Sequence, residues 1–165
     1  MLAERMNTFS GSPTSALIAK VAELRAEGKD IISLNVGEPD FGTPDYIKCG
    51  AIKAIVDNFS KYTAGNGIIE LRRLISKKLH EDNNLEYTTD EICATVGAKQ
   101  AIFNSIMALV DPGDEVLLPV PCWVSYTEMI KFAGAKPVFV DVRLEDFNID
   151  SEKIERAITN KTKAI

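Results

Sequence analysis

A glycine-containing junction at residues 97–100 is the best candidate for an anion-binding site in this sequence. It follows a strand-like apolar run at residues 91–96 and opens a stretch with helical spacing of apolar residues. The first amides of a helix lack intrahelical acceptors, and the helix dipole adds partial positive charge there. A phosphate binds well at such a point when the side chains are small. Gly97 and Ala98 meet that condition, although many such turns bind nothing, and no P-loop or dinucleotide pattern is present.

The single tryptophan, Trp123, is the second candidate. It follows another apolar run, residues 115–118, and two prolines. Ligands of an open parallel sheet lie beyond the carboxyl ends of its strands, so Trp123 and Gly97 are expected to share one crevice. An indole in that position can stack on a planar ring. The pattern is equally typical of a core aromatic under a loop, and both interpretations stay open at this point.

Other side chains that often carry chemistry give no pattern of their own. The three cysteines, Cys49, Cys93 and Cys122, are odd in number and form no CxxC pair, so neither disulfides nor a zinc or other metal site is expected. Cys93 lies in an apolar run and is predicted to be a small core residue. His80 is the only histidine and falls at a charged helix end, which disfavours histidine-based nucleophilic catalysis.

Helical and strand-like segments alternate along the chain. Ser12 is predicted to cap a helix that begins at Pro13. Because the strands are almost wholly apolar and alternate with helices, the sequence predicts an α/β fold with a mostly parallel sheet and helices on both faces. A new apolar strand begins at residues 163–165, so the chain is expected to be truncated. Further helices are predicted near residues 43–58, 68–79, 98–110, 123–133 and 151–157, and further strands near 91–96, 115–118 and 137–140.

Composition sets the broad class. The chain has 165 residues, 45% of them hydrophobic and 26% charged, with a formal net charge of −5. Such a chain is expected to fold as a soluble globular protein rather than to stay disordered. Its scattered basic residues do not form a nucleic-acid footprint, and no apolar run is long enough to span a membrane. The N-terminus lacks the apolar core of a signal peptide, so a cytoplasmic location is predicted.

Five segments together resemble the class I aminotransferases, which are fold-type-I pyridoxal-phosphate enzymes of the aspartate aminotransferase superfamily. The resemblance covers the chain from about Thr14 onward, with the motifs in the family's order and spacing. It implies an enzyme that moves an amino group between an amino acid and a 2-oxo acid. The segments are NVGEPDF at 35–41, KYTAGNGIIELR at 61–72, TVGAKQAIFN at 95–104, DPGDEVLLPVPCWVSY at 111–126 and AITNKTKAI at 157–165.

The resemblance also implies roles for single residues toward pyridoxal 5'-phosphate (PLP). Gly97, Ala98 and Lys99 match the turn that binds the cofactor phosphate. Trp123 matches the aromatic residue that stacks on the pyridine ring. Tyr62 matches the tyrosine that reaches the phosphate of the partner subunit's cofactor, so a homodimer with a shared active site is implied.

Three positions match substrate-binding residues of the family. Gly37 matches the glycine whose amide meets the substrate α-carboxylate. Thr14 and Lys99 match positions that bind a side-chain carboxylate in a bacterial aspartate aminotransferase subgroup, which implies an aspartate- or glutamate-like substrate. A lysine is a suitable point charge for a carboxylate. The alternative for Lys99 is a solvated residue of the first helical turn.

The family's catalytic lysine, which forms a Schiff base with the cofactor, is expected beyond Ile165, so the 165 residues by themselves are expected to be inactive. The expected domains are a small-domain segment, residues 1–33, and the first part of the large PLP-binding domain, residues 34–165. Two alternatives stay open. One is a lyase or decarboxylase of the same fold, and the other is a non-catalytic truncated protein that pairs with another subunit.

Overall fold

The computed structural model describes residues 2–3, 6–7, 11, 13–142 and 148–165. The predicted cap Ser12 lies outside the described residues. The chain divides into two compact units. One combines the residues up to Val36 with Ile102–Ile165, and the other is Gly37–Ala101.

The first unit is built on a three-stranded parallel sheet. Its strands are β1 (Glu115–Val120), β2 (Lys136–Asp141) and β3 (Thr162–Ala164), in the order β2-β1-β3. The central strand β1 pairs with β2 in a continuous register in which Leu117 lies opposite Val138. The predicted strands at residues 115–118 and 137–140 are therefore confirmed. The strand expected to begin at residues 163–165 is present as β3.

Alternate residues of β1 pack against helices on opposite faces of the sheet. Val116 and Leu118 belong to a buried cluster with Ile130 of α5 (Val124–Phe132). Leu117 is fully buried on the other face, in a cluster with Ile154 of α6 (Ser151–Ala157). Burial of each such side chain contributes about 1.5–3 kcal/mol. The predicted α/β fold with a parallel sheet and helices on both faces is confirmed.

Two further helices complete this part of the chain. The helix α1 (Pro13–Ala26) has no buried residue. The helix α4 (Gly97–Leu109) begins in the second unit, and its last turns, with Ile106 and the following Val110, join the buried cluster of Val116 and Leu118. In the described part of the chain, no helix combines the length and apolar character needed to cross a membrane.

The second unit is mainly helical. It contains α2 (Asp45–Val56), α3 (Ile69–Asn83), the single 3-10 turn Thr89–Glu91 and the start of α4. The left-handed Asn84 ends α3 with φ of 53°, and the reciprocal hydrogen bonds of Thr88 and Glu91 form a capping box around the 3-10 turn.

Two predictions about residues 91–96 were wrong. The segment does not form a sheet strand. Its start belongs to the 3-10 turn, and the amide of Ala94 donates to the carbonyl of Asn66 at 3.0 Å rather than to a neighbouring strand. Cys93 is exposed instead of buried, because the side chains of an extended segment alternate and Ile92 takes the buried side.

Candidate functional site

The turn at Gly97 stands at the start of α4, where the sequence predicted an anion site. Gly97 has φ of 76°, in the left-handed region, where a residue with a Cβ costs about 1–2 kcal/mol. A Cβ placed there would meet nothing within 4 Å, so glycine is favoured by conformation, and the space in front of the turn is open. Ala98 and Lys99 continue the first turn of α4 on the exposed side.

Local hydrogen bonds fix this turn. The side-chain oxygen of Gln100 accepts from the amide of Val96 at 2.9 Å, and the hydroxyl of Thr95 donates to the carbonyl of Gly97 at 3.0 Å. The amide of Gly97 donates to the carbonyl of Thr95 at 2.8 Å. These bonds satisfy the amides of Val96 and of Gly97, which is the first residue of α4. The later amides in the first turn of a helix lack intrahelical acceptors and are the kind that bind an anion.

Trp123 lies three residues after β1 ends and occupies the N-cap position of α5. Its side chain is 42% exposed, so it is not a core residue. Tyr126 meets the indole edge-on, with ring centroids 5.4 Å apart and planes at 84°. Tyr126 itself packs against the buried cluster of β1 and α5, so the indole rests on a fixed support at the carboxyl end of the sheet.

The other predicted site residues lie on exposed or half-buried backbone. Tyr62 is wholly exposed in a shallow depression that it lines with Ser60 and Lys61. Gly37 has open space where a side chain would stand, and Thr14 is half-buried in the first turn of α1. Gly37 and Tyr62 belong to the unit that carries the Gly97 turn, whereas Thr14 and Trp123 belong to the other unit. Their joint action stays a prediction.

Arg72 is a buried cation that the sequence predictions did not include. Only 8% of the residue is exposed, and its guanidinium donates to the carbonyls of Gly67 at 3.2 Å and Thr89 at 2.8 Å. A signal was present, because Arg72 stands four residues after Ile68 and three before Ile75, on the apolar side of α3.

Glu115 is the second buried charge that the sequence predictions missed. Its carboxylate accepts from the hydroxyl of Thr159 at 2.7 Å and from the ammonium of Lys136 at 3.1 Å. The hydroxyl of Thr159, followed by Lys136, lowers the pKa of Glu115 below its ordinary value. Glu115 begins β1, at the opposite end of the strand from Trp123, so it joins strands rather than binding a ligand at the carboxyl end.

The fold and these residues define a class: an α/β protein with a parallel sheet, a glycine turn that opens a helix, and an exposed aromatic residue beyond a strand's carboxyl end. The profile of the family described as aminotransferase class I and II matches residues 29–165. This chain belongs to that family.

Individual relatives agree with this assignment. The chain is 47% identical over 164 residues to a probable aspartate/prephenate aminotransferase of Rickettsia conorii, covering 99% of this chain and 41% of that protein. It is 47% identical to the aspartate/prephenate aminotransferase of Nitrosomonas europaea, covering 98% and 41%. The aspartate aminotransferase of Thermus thermophilus with maleate has a TM-score of 0.94 at 44% identity, covering 99% and 43%. The chain thus spans about two fifths of the length of these relatives.

Proposed function

We propose that this chain is the N-terminal part of a PLP-dependent aminotransferase and that it holds the cofactor's phosphate and ring. The observation that carries the proposal is the Gly97 turn, which is left-handed, fronted by open space and placed at the start of α4 in a member of the aminotransferase family. Residues 1–33 are assigned to the small domain and residues 34–165 to the large one.

The residues present fit the cofactor. The small side chains of Gly97 and Ala98 let a phosphate approach the first-turn amides of α4, and the half-exposed indole of Trp123 offers a flat face to a pyridine ring. When bound, the cofactor supplies the electron sink that lets an amino group pass between an amino acid and a 2-oxo acid. The contribution of these residues is to bind and orient it, while the lysine that carries the cofactor lies outside residues 1–165.

For the substrate we propose an acidic amino acid such as aspartate or glutamate. Lys99 stands in the turn next to the phosphate-binding amides, where its ammonium provides a point charge for a side-chain carboxylate. Thr14 is the second proposed contact to that carboxylate, and the amide of Gly37 is the proposed contact to the α-carboxylate. Two observations support this choice: relatives are named for aspartate, and a solved relative is described with maleate, which is a dicarboxylate.

We propose further that the working enzyme is a cytoplasmic homodimer in which Tyr62 reaches the partner subunit's cofactor. The complete exposure of Tyr62 leaves its hydroxyl accessible to a second chain. All three cysteines are free thiols, which fits a reducing compartment. Sedimentation equilibrium of the complete protein is expected to give twice the mass of one chain.

The experiment that tests this function uses the complete reading frame that contains these 165 residues. The purified protein is expected to transfer the amino group of aspartate to 2-oxoglutarate when PLP is present. Two further assays test the alternative reactions of the same fold. Release of carbon dioxide from aspartate incubated without a 2-oxo acid would show a decarboxylase. Cleavage of cysteine conjugates would show a lyase. An intact mass matching only these residues, with no activity, would contradict the proposal and favour a non-catalytic protein.

A further inference from the structure

Arg72 carries the strongest feature outside the proposed binding residues. It is a cation placed inside a unit whose other charged side chains are largely at the surface, and its contacts are directional. The Nε atom donates to the carbonyl of Gly67 at 3.2 Å and the Nη1 atom to the carbonyl of Thr89 at 2.8 Å. Asp90, almost fully exposed, stands 3.8 Å from Nη1 and balances the charge. A buried charge is tolerated only with such partners.

The two carbonyls belong to backbone segments far apart in sequence. Gly67 closes a tight turn, its amide donating to the carbonyl of Ala64 at 2.9 Å, and that turn follows the loop of Tyr62. Thr89 opens the segment that runs through Ala94 to the Gly97 turn. The planar fork of the guanidinium is suited to holding two acceptors in a fixed relation.

A second set of contacts, which with those of Arg72 we call the ties, joins the same two segments closer to Gly97. The carbonyl of Asn66 accepts from the amide of Ala94 at 3.0 Å, and Gly67 lies directly against Ala94. Ala94 precedes Gly97 by only three residues. The segment that leads into the Gly97 turn is therefore fixed at both ends: by Arg72 at Thr89, and by Asn66 and Gly67 at Ala94.

We propose that Arg72 is a positioning residue for the cofactor phosphate, acting through these ties on the Tyr62 loop and the Gly97 turn. The proposal rests on the proposed function, since it takes the Gly97 turn to be the phosphate site. Arg72 touches neither cofactor nor substrate. Its guanidinium fixes both backbone segments that carry proposed phosphate-binding groups: the Gly97 turn, which faces this chain's own cofactor, and the loop of Tyr62, which reaches the partner subunit's cofactor. An apolar side chain of similar size cannot replace it because both carbonyls would lose their donor.

The test compares Arg72→Gln and Arg72→Lys with Arg73→Gln, since Arg73 is the adjacent, exposed arginine of the same helix. Each variant of the complete protein is titrated with PLP and with pyridoxal, which lacks the phosphate. Arg72→Gln is expected to weaken the binding of PLP by at least about tenfold, because a displaced Gly97 turn loses a hydrogen bond to the charged phosphate, and the loss of such a bond is of that size. The affinity for pyridoxal should change little, because pyridoxal has no phosphate. Arg72→Lys keeps the charge but has a single donor nitrogen in place of the Nε and Nη1 pair, so its PLP affinity is expected to lie between those of Arg72→Gln and the wild type. Arg73→Gln should match the wild type.

Hydrogen exchange of the cofactor-free proteins provides the second readout. Peptides covering residues 62–67 and 92–97 are expected to exchange faster in Arg72→Gln, while peptides from β1 stay as protected as in the wild type. Equal weakening of PLP and pyridoxal, or unchanged exchange at residues 92–97, would overturn the positioning role. Should Arg72→Gln not fold, the same measurements on Arg72→Lys decide whether Arg72 has the positioning role. A wild type that binds PLP no better than pyridoxal would instead refute the proposed phosphate site, and exchange would still test the ties themselves.

Discussion

Gly67 and Ala94 are in such close contact that a Cβ added to Gly67 would lie 2.8 Å from the Cβ of Ala94. Gly67 also has φ of 98°, a conformation that residues with a Cβ rarely adopt. Both facts require glycine at this position, and together they explain how the turn after the Tyr62 loop packs against the segment that leads to Gly97.

Gly67→Ala is therefore expected to destabilise the protein by about 2–4 kcal/mol, from unfavourable backbone conformation and from overpacking. Urea unfolding measures the loss. Gly65→Ala is the matched control, because a Cβ on Gly65 meets nothing within 4 Å, and it should change the free energy of unfolding by less than about 1 kcal/mol. Equal effects of the two substitutions would show that the contact with Ala94 does not constrain the turn.

Replacing Trp123 tests its proposed stacking on the cofactor ring. Trp123→Ala in the complete protein is expected to loosen PLP several-fold, since stacking contributes on the order of 1 kcal/mol. Trp123→Phe retains a flat ring, so its PLP affinity should lie between those of Trp123→Ala and the wild type. Quenching of tryptophan fluorescence on cofactor binding should shrink in both variants. Unchanged PLP affinity in Trp123→Ala would leave the indole as a surface residue supported by Tyr126.

Lys99→Ala tests the preference for an acidic substrate. If the ammonium meets a side-chain carboxylate, the substitution should cost roughly 1.5–3 kcal/mol of transition-state binding. The kcat/KM for aspartate or glutamate should then fall about 10- to 150-fold. The kcat/KM for alanine and for aromatic amino acids should change little. Lys77→Ala, on the exposed side of α3, is the control for loss of a surface charge. Equal losses for acidic and neutral substrates would indicate general damage to the Gly97 turn and would remove the proposed role of Lys99.

Glu115→Gln is expected to reduce stability in a manner that depends on pH. The pKa of Glu115 is lowered from its ordinary value of 4.5 chiefly by the hydroxyl of Thr159. A lowered folded-state pKa contributes stability that is full above 4.5 and is lost as the pH falls through the folded value. The difference from the wild type should thus be largest at neutral pH and shrink in acid.

Urea unfolding across a pH series measures the Glu115 effect. Glu152→Gln is the control, because this carboxylate pairs with Arg156 on the exposed side of α6. Such a surface pair contributes less than about 1 kcal/mol. A loss in Glu115→Gln that stays constant from neutral to acid pH would show that the carboxylate's charge does not matter for folding.

The sequence predicted those elements whose signals are local. The helix at residues 151–157 has the predicted bounds, and the side chain of Asp150 caps it by accepting from the amides of Glu152 and Lys153. The strands at 115–118 and 137–140 were also predictable, because both are short continuous apolar runs. Residues 115–118 are all buried, whereas Phe139 of the second strand is exposed. The segment at residues 91–96 has the same apolar character, but strand pairing depends on distant residues, and Ala94 bonds to Asn66 instead.

The candidate site was predictable to a similar degree. The glycine and the helical spacing of the apolar residues after it predicted a helix start here, and α4 begins at Gly97. Binding of an anion there stays a prediction. The support of Trp123 by Tyr126 and the ties made by Arg72 were not predicted, because they depend on which side chains meet in the folded chain. An arginine on an apolar helix face is the kind of local irregularity that identifies such residues.

Borohydride reduction of the complete protein loaded with PLP tests the proposed cofactor site most directly. Reduction attaches the cofactor permanently to the lysine that carries it, and mass spectrometry of the digested protein locates that lysine. The expected result is one modified lysine per chain, outside residues 1–165, with only weak and reversible PLP binding by the 165 residues alone. A stoichiometric adduct on Lys99 or another lysine within these residues, or no adduct in the complete protein, would contradict the proposal.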